Sequence, residues 1–183
     1  AEALCTALLA HLPPGRRPKL ILESGRALVD EAGSVLTSVT ASKRLPDGTR
    51  AYVLDAGVNL LPTSAWYRFG IALAEPKEGL KEYSVLYGPL CMNIDVVDEG
   101  VMLPPLDRGD LLLVSPAGAY NQTQSMQFIH LRPASVMVNE QGGVDIIRRA
   151  EDLRDLQGPE QLPDRLLPGA SLPGHDRKNE EAA

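Results

Sequence analysis

The chain has 183 residues with 18 basic and 24 acidic side chains, giving a formal net charge of -6 at pH 7. Hydrophobic residues make up 44% and aromatic residues 4%, the composition of a folded domain of ordinary size and not of a disordered chain. An acidic balance with few rings excludes nucleic-acid binding by bulk charge or base stacking, and no apolar run approaches the ~20 residues of a membrane span.

Residues 1–12 place Leu4, Leu8, Leu9 and Leu12 on one helical stripe, and Pro13, Pro14 and Gly15 stop it. Lys19–Leu22 reads as a short buried strand ending at Glu23 and Gly25. From there to about residue 150 the pattern is β. Ala27–Thr40 is rich in Val, Leu and Thr and is broken by a turn at Glu31–Gly33. Asp47-Gly48 between two alternating runs signals a hairpin. Tyr83–Leu90, Asp110–Val114, Ile129–Arg132, Ser135–Val138 and Val144–Arg148 are further strand candidates, the last two joined by a turn at Gln141–Gly143. Short strands with turn-bounded spacing predict a sandwich or barrel. The opening helix and strand cannot bury their own faces and read as the end of a larger α/β architecture. The stretch 157–183, with Pro159, Pro163, Pro168 and Pro173 and many charges, is expected to be disordered or to lie on a partner.

Several short groups could carry chemistry. Glu23-Ser24-Gly25-Arg26 follows the first strand. Glycine there admits a ligand close to the backbone, and arginine offers a fork to phosphate or carboxylate; a surface ion pair at a strand end reads equally well. Gly88-Pro89-Leu90-Cys91 places a lone thiol in a turn, with Asp95 four residues on. Such a thiol serves as an acid or packs as a small buried side chain. Gly118-Ala119-Tyr120 presents a hydroxyl to a ligand or packs it. His11, His130 and His175 lie far apart and no metal-ligand spacing occurs. Two cysteines, Cys5 and Cys91, make no disulfide framework, and with no signal-peptide pattern the expected setting is cytoplasmic.

Taken in order, Glu23-Ser24-Gly25-Arg26, Asp55-Ala56-Gly57, Gly88-Pro89-Leu90-Cys91, Leu103-Pro104-Pro105-Leu106, Gly118-Ala119-Tyr120 and Arg132-Pro133-Ala134 resemble the C-terminal half of the fold-type III pyridoxal-phosphate decarboxylases, the diaminopimelate, ornithine and arginine decarboxylase family related to alanine racemase. The resemblance implies a mainly β protein: a β-barrel or sandwich domain over 27–156, preceded at 1–26 by the last helix and strand of a (β/α)8 barrel, with a tail at 157–183. It implies an amino-acid decarboxylase that uses pyridoxal 5'-phosphate and is completed by an N-terminal barrel domain, in a homodimer with shared sites, acting on a small amino acid with no nucleic-acid or membrane partner.

Residue by residue, the resemblance implies that Glu23 pairs with the pyridinium nitrogen. Gly25 and Arg26 line the cofactor phosphate or the substrate carboxylate, and Tyr120 bonds the phosphate. Cys91 returns a proton in the other subunit's site, and Tyr67 contacts substrate. Met92 stands where relatives carry a glutamate or aspartate that meets the far end of the substrate, and Thr63 stands in place of an arginine. A thioether cannot pair with an ammonium, so the expected substrate is neither diaminopimelate nor ornithine. The alternative is a non-catalytic β-domain that binds or regulates a related enzyme.

Overall fold

The computed structural model describes residues 2–13, 15 and 19–167. The chain divides into two compact units, residues 1–125 and 126–183. In the first, α1 (Glu2–Ala10) is followed by α2 (Gly25–Val29) with a 3-10 turn at Asp30–Ala32. Then come β1 (Val35–Arg44), β2 (Arg50–Leu54), β3 (Gly70–Leu73), β4 (Glu82–Tyr87), β5 (Val96–Leu103), β6 (Leu111–Ser115) and the short α3 (Asn121–Gln124). The six strands form one sheet in the order β3-β6-β1-β2-β4-β5.

β1 gives the sheet its curl. Its first residues, Val35 to Ser38, pair antiparallel with β6, and its later residues, Val39 to Arg44, pair antiparallel with β2. The register shifts between Val39 and Ala41, a bulge that bends and twists the strand. One long strand thus serves two half-sheets that wrap around a common core. β2 and β4 are parallel, so the chain between them crosses over and carries β3 and a 3-10 turn at Pro62–Ala65.

Alternation along the strands builds that core. Leu112 and Val114 of β6, Tyr52 and Leu54 of β2, and Leu86 of β4 point inward and are fully buried, joined by Val39, Leu61 and Val97. Each such side chain stabilises by ~1.5–3 kcal/mol. The Tyr52 hydroxyl is satisfied, because it accepts the Leu106 N–H at 2.9 Å. The hairpin at Asp47-Gly48 forms as expected, with Arg44 opposite Arg50.

The second unit holds β7 (Ser135–Val138) paired antiparallel with β8 (Val144–Arg148), then α4 (Leu153–Gln157). A capping box starts α4: the Asp152 carboxylate accepts the Arg154 N–H, and Asp155 accepts the Asp152 N–H. Glu151 gathers Arg132 and Gln127 around one carboxylate.

The mainly β class is as expected. Several local expectations are corrected. Lys19–Leu22 forms no ladder: a strand needs a partner edge, and none of the described residues supplies one. Leu20, Ile21 and Leu22 are accordingly exposed at 41%, 71% and 48%. Residues 25–29 are helical, not extended. Ile129–Arg132 is irregular, with Ile129 at φ 67°, which no strand accepts. β3 and β5 had no clear sequence signature. The tail from 157, expected to be disordered or to lie on a partner, carries a 3-10 turn at Asp164–Leu166, and 168–183 lies outside the described residues.

Candidate functional site

Two distant stretches of chain lock together at one end of the first unit. The Ala117 N–H donates to the Gly33 carbonyl at 2.7 Å, the Gly118 N–H to the Asp30 carbonyl at 2.9 Å, and the Ala119 N–H to the Asp30 carboxylate at 3.1 Å. The backbones approach so closely that only glycine fits. A Cβ on Gly118 would lie 2.0 Å from the Val29 carbonyl oxygen, and one on Gly33 would lie 2.5 Å from the Gly118 Cα. The Glu23–Arg26 and Gly118–Tyr120 motifs are therefore one structural piece, although some ninety residues separate them in sequence.

Arg26 sits at the centre of this piece. Its Nη1 pairs with Asp30 Oδ2, one helical turn on. Its guanidinium stacks 3.9 Å from the Tyr67 ring centroid and 5.5 Å from that of Tyr120. Its Nη2 is buried and has no hydrogen-bond partner. The Tyr120 hydroxyl lies over Gly25, where a Cβ would stand only 3.1 Å away. Tyr120 itself adopts φ 66°, so the turn presents an exposed ring. The two tyrosines are braced from below: buried Thr63 donates its hydroxyl to Asn121 Oδ1 at 2.8 Å, tying the turn before Tyr67 to the residue after Tyr120.

A second piece carries the cysteine. Asp95 is 2% exposed, and its carboxylate accepts the Val58 N–H at 2.7 Å and the Leu90 N–H at 2.6 Å. It fits between Gly57 and Gly88, where a Cβ on either would come within 2.1 Å of Oδ1. The carboxylate thus pins the loop 88–95 to the Asp55–Gly57 turn and leaves Cys91 exposed. Asp95 is engaged by the main chain of Val58 and Leu90. Asp55 anchors the neighbouring turn. Burial raises its pKa, but the hydroxyls of Ser38 and Thr37 and the Ser38 N–H outweigh that and hold it below the ordinary 3.8.

The structure therefore brings Gly25, Arg26, Tyr67 and Tyr120 together. Glu23 lies next to them on exposed coil, with no hydrogen bond or ion pair to its carboxylate among the described residues. No described contact links Cys91 or Met92 to this cluster. Asp30 and Asn121 were missed by sequence reasoning, and Asp95 was noted only as an acid near the thiol. The signals were the four-residue step from Arg26 to Asp30 and the glycines that flank Asp95 in space. Among the described residues no group of His, Cys, Asp and Glu is placed to hold a metal ion, and no helix is long and apolar enough to cross a membrane. A cleft of about 300 Å3 beside β3 and β6 is lined by Lys77 and Asp110, which pair with each other, and contains none of the cluster residues.

The curled sheet domain thus presents an arginine and two tyrosines beside a glycine, donors suited to an anionic ligand. Residues 27–118 match the pyridoxal-dependent decarboxylase C-terminal sheet domain, and the chain belongs to that family. Among curated relatives it is 35% identical to diaminopimelate decarboxylase of Synechocystis sp. over 155 residues, 82% of this chain and 33% of the relative. It is 36% identical to the Methanothermobacter thermautotrophicus enzyme of the same name over 156 residues, 82% of this chain and 36% of that one. The crystal structure of diaminopimelate decarboxylase from M. jannaschii in complex with L-lysine superposes with a TM-score of 0.79 at 30% identity, over 91% of this chain and 38% of that chain. The chain spans about a third of the length of the curated relatives it matches.

These identities remove the ground for excluding diaminopimelate. The structure adds a reason: Thr63 is buried and bonded to Asn121, so that position alone does not report the distal substrate contact. The family's cofactor is pyridoxal phosphate. The residues fit its phosphate end. An orphaned guanidinium N–H, a phenol and a glycine that leaves the backbone open are a phosphate-binding donor set.

Proposed function

We propose that this chain is the C-terminal domain of a pyridoxal phosphate-dependent amino-acid decarboxylase, completed by an N-terminal (β/α)8 barrel domain in a cytoplasmic homodimer with shared sites, and that diaminopimelate is its substrate. The observation that carries this reading is Arg26, held between Tyr67 and Tyr120 with an unsatisfied Nη2 beside Gly25. The relatives' names support the substrate.

When bound, the cofactor supplies an electron sink for the bond that breaks as carbon dioxide leaves. Arg26 Nη2 and the Tyr120 hydroxyl donate to anionic oxygens, phosphate first, and fix the ring's position. The unpaired Glu23 carboxylate would accept a hydrogen bond from the protonated ring nitrogen and so favour its charged form. Tyr67 bounds the substrate side. Cys91, exposed on its pinned loop, delivers a proton from Sγ to the carbon that carbon dioxide has left, in the partner subunit's site. Met92 lines the same loop and offers the substrate's far end an apolar contact, so the distal charges of diaminopimelate are met by other groups of the assembled enzyme.

The test isolates the native species that carries this sequence, measures its subunit mass and cofactor absorbance, and follows labelled carbon dioxide release from amino acids, diaminopimelate first. A larger, cofactor-bearing species that releases carbon dioxide from diaminopimelate supports the proposal. A species no larger than 183 residues, without cofactor or second chain, refutes it.

A further inference from the structure

Resting on the cofactor-site reading above, we propose that Asp30 is a positioning residue: it aims the second amino group of Arg26 at an anionic ligand oxygen. Arginine has a long, rotatable side chain, and a free guanidinium samples many directions. Here two contacts remove that freedom. Asp30 Oδ2 holds Nη1, the Tyr67 ring fixes the guanidinium plane, and Nη2 remains the donor without a protein acceptor. The side chain of Asp30 is 13% exposed. Its other oxygen takes the Ala119 N–H, and its carbonyl takes the Gly118 N–H. One residue therefore sets both the guanidinium and the turn that presents Tyr120. Tyr67, itself half exposed, stacks on the guanidinium.

The charge of Asp30 makes the inference sharp. By Coulomb repulsion alone a carboxylate beside an anion site weakens anion binding, and its removal tightens it. A positioning role predicts the opposite sign. The anionic oxygen belongs either to the cofactor phosphate or to the substrate carboxylate, and the same experiment separates them.

The experiment uses the assembled enzyme, stripped of cofactor, and measures the affinities for pyridoxal 5'-phosphate and for pyridoxal, and the KM for substrate after reloading. Asp30→Asn keeps an acceptor for Ala119 and loses the charged anchor. Loss of one charge-assisted hydrogen bond corresponds to a roughly ten-fold weakening. If the oxygen is phosphate, pyridoxal 5'-phosphate weakens about ten-fold and pyridoxal does not change. If it is the substrate carboxylate, KM rises by about the same factor with cofactor affinity unchanged. Asp30→Glu retains the charge and displaces it by one methylene, so positioning predicts a loss there too, and it provides a second reading if the Asn variant folds poorly. Tighter cofactor binding in Asp30→Asn, or no change in either quantity, overturns the proposal. A wild-type enzyme with no affinity for pyridoxal 5'-phosphate removes the cofactor-site reading, and this inference with it.

Discussion

Replacing Asp95 with alanine tests the account of the cysteine loop most directly. The carboxylate is 2% exposed and satisfies two buried main-chain donors, Val58 N–H and Leu90 N–H. Alanine leaves both without an acceptor, and each orphaned buried amide costs ~1–3 kcal/mol. The two together cost about 4 kcal/mol, a large share of the ~5–15 kcal/mol that holds a domain folded. In urea, with a slope of ~1–3 kcal/mol per molar, this lowers the unfolding midpoint by roughly 2 M. Asp95→Asn keeps one carbonyl acceptor but turns an NH2 toward the other amide, so it falls between wild type and alanine. The assay is urea unfolding followed by far-ultraviolet circular dichroism, with the slopes compared. A midpoint for Asp95→Ala within ~0.5 M of wild type at equal slope would refute the reasoning, because the two amides would then have found other partners at no cost.

Tyr52→Phe removes the acceptor of the buried Leu106 N–H and is expected to lower stability by ~1–3 kcal/mol in the same assay, with the sheet's circular dichroism unchanged. Asp155 is held down to about 2, first by hydrogen bonds from the Arg149 guanidinium and then by the Asp152 N–H, against an ordinary 3.8. A carboxylate depressed on folding contributes stability that is fully present above 3.8 and is lost as pH falls through about 2. Arg149→Ala should return the Asp155 carboxyl toward its ordinary range in an NMR titration, and an unmoved titration would remove the guanidinium as the cause.

What could be read in the sequence was what neighbours decide. Asp47-Gly48 closes a hairpin through its own turn preference, and Gln141–Gly143 does the same between β7 and β8. What could not be read depends on distant partners. Residues 25–29 include Gly25 and Val29, which lower helix propensity, yet they form a helix beside Asp30 and Gly33, which are tied to residues 117–119. The apolar pattern of β5 is broken at Asp98-Glu99-Gly100, and the Tyr83 ring lying over Gly100 from the neighbouring strand explains the glycine. The convergence of Arg26, Tyr67 and Tyr120 follows from no spacing rule; the ordered motifs pointed to it. The exclusion of diaminopimelate rested on Met92 and Thr63 read as substrate contacts, while Thr63 faces inward to Asn121.

The position of β6 has a consequence for how the molecule is made. β6 lies between β3 and β1, both synthesised before it, and it pairs with each, Val114 standing opposite Ile71 on one side and Val35 on the other. Until residue 115 emerges, two earlier strands wait with open edges across a gap that only this segment fills. Closing β1 on β6 joins Val35 to Val114 across most of the first unit, a non-local pairing of the kind that goes with folding in milliseconds to seconds. A nascent chain halted before β6 would display the edges of β1 and β3 together, a template for pairing with the next copy.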